Sequence, residues 1–159
     1  MSLLQGNVPF MLCRIIDLCK PLTEFIWRMR MNDRIKVGRY NLEFNKILDI
    51  DYEELDIYSS NGLIKHMKKR NHKNCLKYIE NIPDIINNPD YIGINPKETE
   101  RSVELIKQYE DNVMLGIKLD ADEKYYYVST MFEIQESKIE RRLHSGRIKK
   151  FSVDTSEKK

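Results

Sequence analysis

The chain has 159 residues, enough for one domain with its own core and too few for two ordinary ones. With 41% hydrophobic and 33% charged residues it is polar for its size, but not so polar as to be disordered throughout. The net charge is only +2 and is unevenly spread: residues 61–80 hold six Lys/Arg against one acid, 138–159 hold eight against three, and 81–137 hold five against twelve. Two basic blocks around an acidic one could converge on one face and attract a polyanion, or could be ordinary solvated helix faces. The three cysteines form no CxxC pair, which points to a reducing, cytoplasmic setting with free thiols. Gln5, Gly6, Asn7, Pro9, Arg14 and Asp17 interrupt the apolar start, so neither a secretory signal nor a membrane span is expected there.

In chain order, residues 11–31 read as one or two helices divided by Pro21, with Trp27 in or beside the core. NLEFNKILDI after Gly38 has helical spacing at Leu42, Ile47 and Leu48, with Asn41 as a candidate N-cap. DIYSS is a short candidate strand. Ser59 or Ser60 can then cap a helix that starts near Asn61 and ends at Asn71, a residue that tolerates the left-handed conformation. A short helix follows around Cys75–Glu80. Pro83 suits the start of another, and Asn87, Asn88 and Pro89 stop it.

The texture then changes. RSVELIKQYE, NVMLGIKLD and KYYYVSTMFEI, joined by short polar links, read as an antiparallel meander to which YIGIN adds one more strand. QESKIERRLHSGRIKKF reads as a basic helix that stops near Gly146. The expected fold is therefore α+β: N-terminal helices packed on a three- to four-stranded antiparallel sheet, with a basic C-terminal helix. The expected organisation is a helical extension over 1–35, a main domain over 36–151 and a flexible tail over 152–159. No P-loop, GxGxxG or EF-hand loop is present.

Chemistry concentrates in GLIKHMKKRNHKNC, residues 62–75. On a helix Leu63, Ile64 and Met67 form a buried stripe, while His66, Lys69, Arg70 and Lys73 follow i, i+3, i+4, i+7 spacing on a second face. His72 lies six positions after His66, so the two serve one point only if the helix ends between them. A zinc site from His66, His72 and Cys75 lacks a fourth ligand and is ringed by repelling cations. In KYYYVSTMFEI, strict alternation groups Tyr126, Val128, Thr130 and Phe132 on one face and Tyr125, Tyr127, Ser129 and Met131 on the other. Either hydroxyl can bind a phosphate oxygen, and the tyrosines offer stacking surfaces for bases. Lys138, Arg141 and Arg142 share a helix face suited to clamping a phosphate.

The order IYSSNGLIKHMKKRNH, IPDIINNPDYIG, NVMLGIKLD and YYYVSTMFEIQESKIERRLHSGRIKKF resembles the phage-associated branch of the nuclease superfamily named after barnase, EndoU, colicin and RelE. The resemblance covers about Ile57 to Phe151. It implies metal-independent RNA cleavage without a cofactor, in toxins, effectors or mobile-element proteins. It places the motif histidine on His66, with His72 as second candidate, and the strand hydroxyl on Thr130 with Ser129 beside it. The substrate-binding cations fall on Lys69, Arg70, Lys138, Arg141 and Arg142. RNA is the expected partner, with no membrane. Because uncontrolled RNA cleavage would injure a host, an antitoxin or immunity protein is expected as well. The rival expectation is a catalytically silent RNA-binding or phage-structural module of the same fold.

Overall fold

The structure, a computed structural model, describes residues 34–152. The helices expected within 11–31, with Trp27, and the tail expected over 152–159, apart from Ser152, lie outside the described residues. In chain order the described elements are β1 (Arg34–Arg39), α1 (Glu43–Leu48), β2 (Asp56–Ser60), α2 (Asn61–Lys69), a 3-10 helical segment (Lys73–Asn81), α3 (Ile82–Asn87), β3 (Tyr91–Gly93), β4 (Ser102–Gln108), β5 (Asn112–Asp120), β6 (Tyr125–Glu133), α4 (Glu136–His144) and β7 (Ile148–Lys150).

The expected three- to four-stranded antiparallel sheet is overturned. There is one seven-stranded mixed sheet in the order β1-β2-β6-β5-β4-β3-β7. β3 to β6 form the antiparallel meander, but β2 joins β6 in parallel, β1 pairs with β2 and β7 extends the far edge beside β3. The added strands were hidden for a physical reason. RIKVGR alternates only at Ile35 and Val37 and leaves Ile35 54% exposed, and IKK is three residues long, so these edge strands owe their form to backbone pairing with a neighbour more than to burial. The helices are also few and short: α1 and α3 have six residues each, α2 and α4 nine.

Burial divides along the two sheet faces. On one face Phe44 of α1, Leu63 and Met67 of α2, Cys75 and Tyr78 of the 3-10 segment and Ile82, Ile85 and Ile86 of α3 pack on Val103, Leu105, Leu115, Tyr126, Val128 and Met131. Each fully buried aliphatic side chain contributes about 1.5–3 kcal/mol. On the other face α4 covers only one end, where Ile139, Ile134 and Ile148 meet Ile106 and Met114, with Tyr91, Phe132 and Leu143 around them. That partial cover leaves the rest of the second face for polar residues.

Both nine-residue helices stop in the same way. In α2, Asn71 takes the left-handed conformation at φ 60°, and the next N–H, of His72, donates to the Met67 carbonyl at 2.8 Å. In α4, Gly146 takes it at φ 71°, and the Arg147 N–H donates to the Arg142 carbonyl at 2.9 Å. Each is the left-handed C-terminal motif that satisfies an orphan carbonyl and turns the chain off the helix axis.

Candidate active site

Strand register sets the geometry of the second face. Its side chains form three rows across the strands: Tyr58, Tyr127, Lys118 and Ser102; then Thr130, Gly116 and Glu104; then Phe132, Met114 and Ile106. The third row is the apolar patch beneath α4. The first two are polar, and they border a cavity of about 60 Å³ lined by Ser102, Glu104, Gly116, Lys118, Ser129 and Thr130, among others.

Thr130 reaches this face because β6 is bulged. Gly116 pairs with Thr130 but Ile117 pairs with Val128, so Ser129 is an extra residue. The strict alternation read from the sequence is therefore corrected. Tyr126, Val128 and Met131 enter the helix-covered core, while Tyr125, Tyr127, Thr130 and Phe132 lie on the other side. Gly116 makes room for the Thr130 methyl and the Ser129 hydroxyl, since a Cβ there would stand 2.8 Å from Thr130 Cγ2 and 3.3 Å from Ser129 Oγ. Ser129 Oγ donates to the Gly116 carbonyl at 3.1 Å and ties the bulge to β5.

Beyond Gly116 in the same row stands Glu104, its side chain 7% exposed. Its two carboxylate oxygens accept from Arg142 Nη1 at 3.0 Å and Arg147 Nη2 at 2.8 Å. A buried carboxylate needs such partners, and two guanidiniums against one carboxylate leave one positive charge in excess. Burial holds the Arg142 guanidinium below its ordinary pKa, against the opposing pull of Glu104. Beside this group Lys118 Nζ contacts Glu98 at 2.6 Å, and that hydrogen bond raises the lysine's pKa. Two buried polar atoms on this face, Ser102 Oγ and Arg147 Nε, have no hydrogen-bond partner among the described residues.

The expected site residues distribute as follows. Thr130 and Ser129 sit together in the cavity, and Arg142 reaches Glu104 beside them. Lys138 and Arg141 are exposed on α4, so of that trio Arg142 alone turns inward. Lys69 and Arg70 are exposed at the end of α2, and His66 is half-buried on it. His72, released by the left-handed Asn71, lays its ring 5.4 Å from that of Phe132, which is two positions from Thr130 on the same side of β6. The route is open because β2 pairs with β6 only at Tyr126 and Tyr127; α2 and the 3-10 segment pack against β6 instead. Of the two histidines, it is His72 for which the structure gives a ring contact to the hydroxyl-bearing strand.

Glu104, Gly116 and Lys118 were not singled out from the sequence, and Arg147 stood there only as one of the basic residues after the last helix. Two signals were present: a carboxylate inside the apolar run SVELIKQ, and a glycine inside the strand NVMLGIKLD, where a bulge or close approach is the usual reason. Among the described residues no group of three or more His, Cys, Asp and Glu is placed to hold a metal ion, and no helix is long and apolar enough to cross a membrane.

The sheet thus carries α1 to α3 on one face and, on the other, a row of hydroxyl, carboxylate and guanidinium groups beside α4. Residues 35–141, about two thirds of the chain, match the family described as phage-Barnase-EndoU-ColicinE5/D-RelE like nuclease3. The chain belongs to this nuclease family. Searches of curated proteins and of solved structures returned no significant match.

Proposed function

We propose that the chain is an endoribonuclease that needs no metal and cleaves RNA by internal transesterification. A base removes the proton of the ribose 2′-hydroxyl, whose oxygen attacks the adjacent phosphorus. The P–O5′ bond breaks, an acid protonates the leaving oxygen, and a 2′,3′-cyclic phosphate remains. DNA, lacking the hydroxyl, is inert to this chemistry. The observation that carries the reading is the row of Thr130, Gly116 and Glu104 with two guanidiniums on its carboxylate, in a domain of a nuclease family.

Thr130 donates to a non-bridging phosphate oxygen, and the excess positive charge of Arg142 and Arg147 offsets charge that grows there. Glu104 fixes both guanidiniums. His72 is assigned proton transfer because its ring is fixed against Phe132, and His66 is the second candidate. Lys69, Arg70, Lys138 and Arg141 draw the polyanion in from outside. A cytoplasmic toxin or mobile-element role, restrained by an inhibitory protein, follows from such an activity.

The test is RNA cleavage in EDTA with analysis of the product ends. Cyclic phosphate ends are expected, with a loss of about 10²–10⁴-fold in His72→Ala. Full activity in that variant shifts the role to His66, whose alanine variant is run alongside. Salt-sensitive binding without product identifies a silent RNA-binding module instead.

A further inference from the structure

The first polar row is not used by the reaction above, yet it continues the same face. Tyr58 of β2, Tyr127 of β6, Lys118 of β5 and Ser102 of β4 stand side by side across four strands. Around Tyr127 the aromatics gather: Tyr125 lies 6.4 Å from it and meets Tyr58 edge-on at 5.6 Å, and the Arg34 guanidinium covers Tyr125 at 4.7 Å. Tyr58, Tyr125 and Tyr127 are all half-buried rather than enclosed. They line a cavity of about 100 Å³ with Arg34, Ser59 and Ser60. Tyr127 also lines a second cavity, of about 380 Å³, that carries Glu100, Arg101 and Asp122.

We propose that Tyr127, supported by Tyr58 and Tyr125, is a stacking subsite for the base next to the phosphate held at Thr130, so that the substrate is single-stranded RNA. This rests on the ribonuclease reading for the position of the phosphate. Tyr127 precedes Thr130 by three residues, one of them bulged out, on the same side of one strand, and strand residues rise about 3.3 Å each. That spans roughly the reach of one nucleotide from the phosphate. The chemistry on either side of Tyr127 fixes the direction. The cavity on one side of Tyr127 carries the carboxylates of Glu100, Asp120 and Asp122 against the single cation Arg101, a lining that disfavours a phosphate and accepts from base amino groups, whereas Arg142 and Arg147 meet Glu104 in the row of Thr130. The unpartnered hydroxyl of Ser102, a residue 5% exposed in the same row, is a second sign that a polar ligand completes this face. A base paired inside a duplex cannot reach the ring, because stacking on protein requires an unstacked base.

The experiment is fluorescence anisotropy with a labelled 2′-O-methyl oligoribonucleotide, which lacks the attacking hydroxyl and so reports binding alone. Wild type should bind the single strand at least about tenfold more tightly than a duplex of the same length. Tyr127→Ala should lose about tenfold, and Tyr127→Phe, which keeps the ring, should retain affinity. Abasic sites in the oligonucleotide should weaken wild type and leave Tyr127→Ala unaffected. Binding of this pattern without any cleavage of unmodified RNA overturns the ribonuclease reading and upholds the subsite. Cleavage with equal affinity for duplex and single strand, or with Tyr127→Ala binding as wild type, overturns the subsite and leaves the ribonuclease intact. No RNA binding by the wild type overturns both. Thermal unfolding of Tyr127→Phe and Tyr127→Ala confirms that each variant is folded.

Discussion

Thr130 and Gly116 face one another in the β5–β6 ladder, and a methyl group at 116 would lie 2.8 Å from Thr130 Cγ2. The glycine thus reserves the space taken by the threonine methyl group, and with it the rotamer that sets the hydroxyl. Gly116→Ala must rotate or push Thr130, at a cost of about 1–3 kcal/mol for an overpacked site. A loss of kcat/KM of at least about tenfold is expected in a chain that still unfolds cooperatively in urea. Wild-type cleavage in that variant would mean that the position of Thr130 is immaterial to the reaction.

Glu104 is the buried anchor of two cations, so its removal should cost more than either cation's. Glu104→Ala leaves Arg142 and Arg147 facing each other with their shared partner gone, and breaking a buried ionic group from one side typically costs about 3–5 kcal/mol. Arg147→Ala leaves the carboxylate paired with Arg142 and should cost less. Urea unfolding of the two variants checks the order. A loss below about 1 kcal/mol in Glu104→Ala would show that water, rather than the guanidiniums, satisfies this carboxylate.

What the sequence made legible follows from which signals are local. Apolar spacing located α2 through Leu63 and Met67, and Asn71 marked its end because asparagine tolerates positive φ; the structure has it there at 60°. The N-cap expected at Asn41 falls one residue later, since Leu42 is the N-cap of α1 and Asn41 accepts the Glu43 N–H at 2.9 Å in the turn before it. The meander was visible because its strands are half-buried and bounded by polar turns. β1 and β7 are short and largely exposed, being held by neighbours far away in the chain. The bulge at Ser129 was equally hidden, since a one-residue slip depends on the register with β5, and it moved Thr130 to the other face. Glu104 read as one strand residue among others until Arg142 and Arg147, some forty positions away, were brought to it.

Acid should destabilise the helix-covered side through two aspartates. Asp84 accepts from the Tyr109 hydroxyl at 2.7 Å and from Asn88, and Asp111 contacts Lys77 at 2.6 Å and accepts from the Tyr78 hydroxyl at 3.0 Å. In each case the first of these contacts is the larger cause of a pKa below the usual carboxylate value. A depressed folded-state pKa contributes stability that is complete above the unfolded value of about 3.9 and is lost as pH falls through the folded one. The urea midpoint should therefore hold from pH 7 to about 5 and decline below about 4. Tyr109→Phe, which removes the donor to Asp84 while keeping the ring stacked on Tyr78 at 5.0 Å, should shallow the decline. An unchanged acid limb in that variant would remove Asp84 from the account.

The placement of His72 depends on a single backbone conformation, which gives a test that leaves the histidine itself untouched. Asn71 at φ 60° lets the His72 N–H reach the Met67 carbonyl and sends the imidazole to Phe132. Left-handed backbone costs most L-residues about 1–2 kcal/mol, glycine little, and asparagine less than most. Asn71→Gly should therefore match wild type in both stability and cleavage, whereas Asn71→Ala should lose about 1 kcal/mol. If His72 transfers the proton, Asn71→Ala should also lower kcat with little change in KM, because a displaced imidazole alters the reaction more than the binding. Phe132→Leu, which keeps an apolar side chain but removes the ring that positions the imidazole, should give the same kcat defect. Loss of stability in Asn71→Ala with kcat unchanged, together with full activity in Phe132→Leu, would show that the ring contact between His72 and Phe132 packs the edge of β6 and takes no part in cleavage.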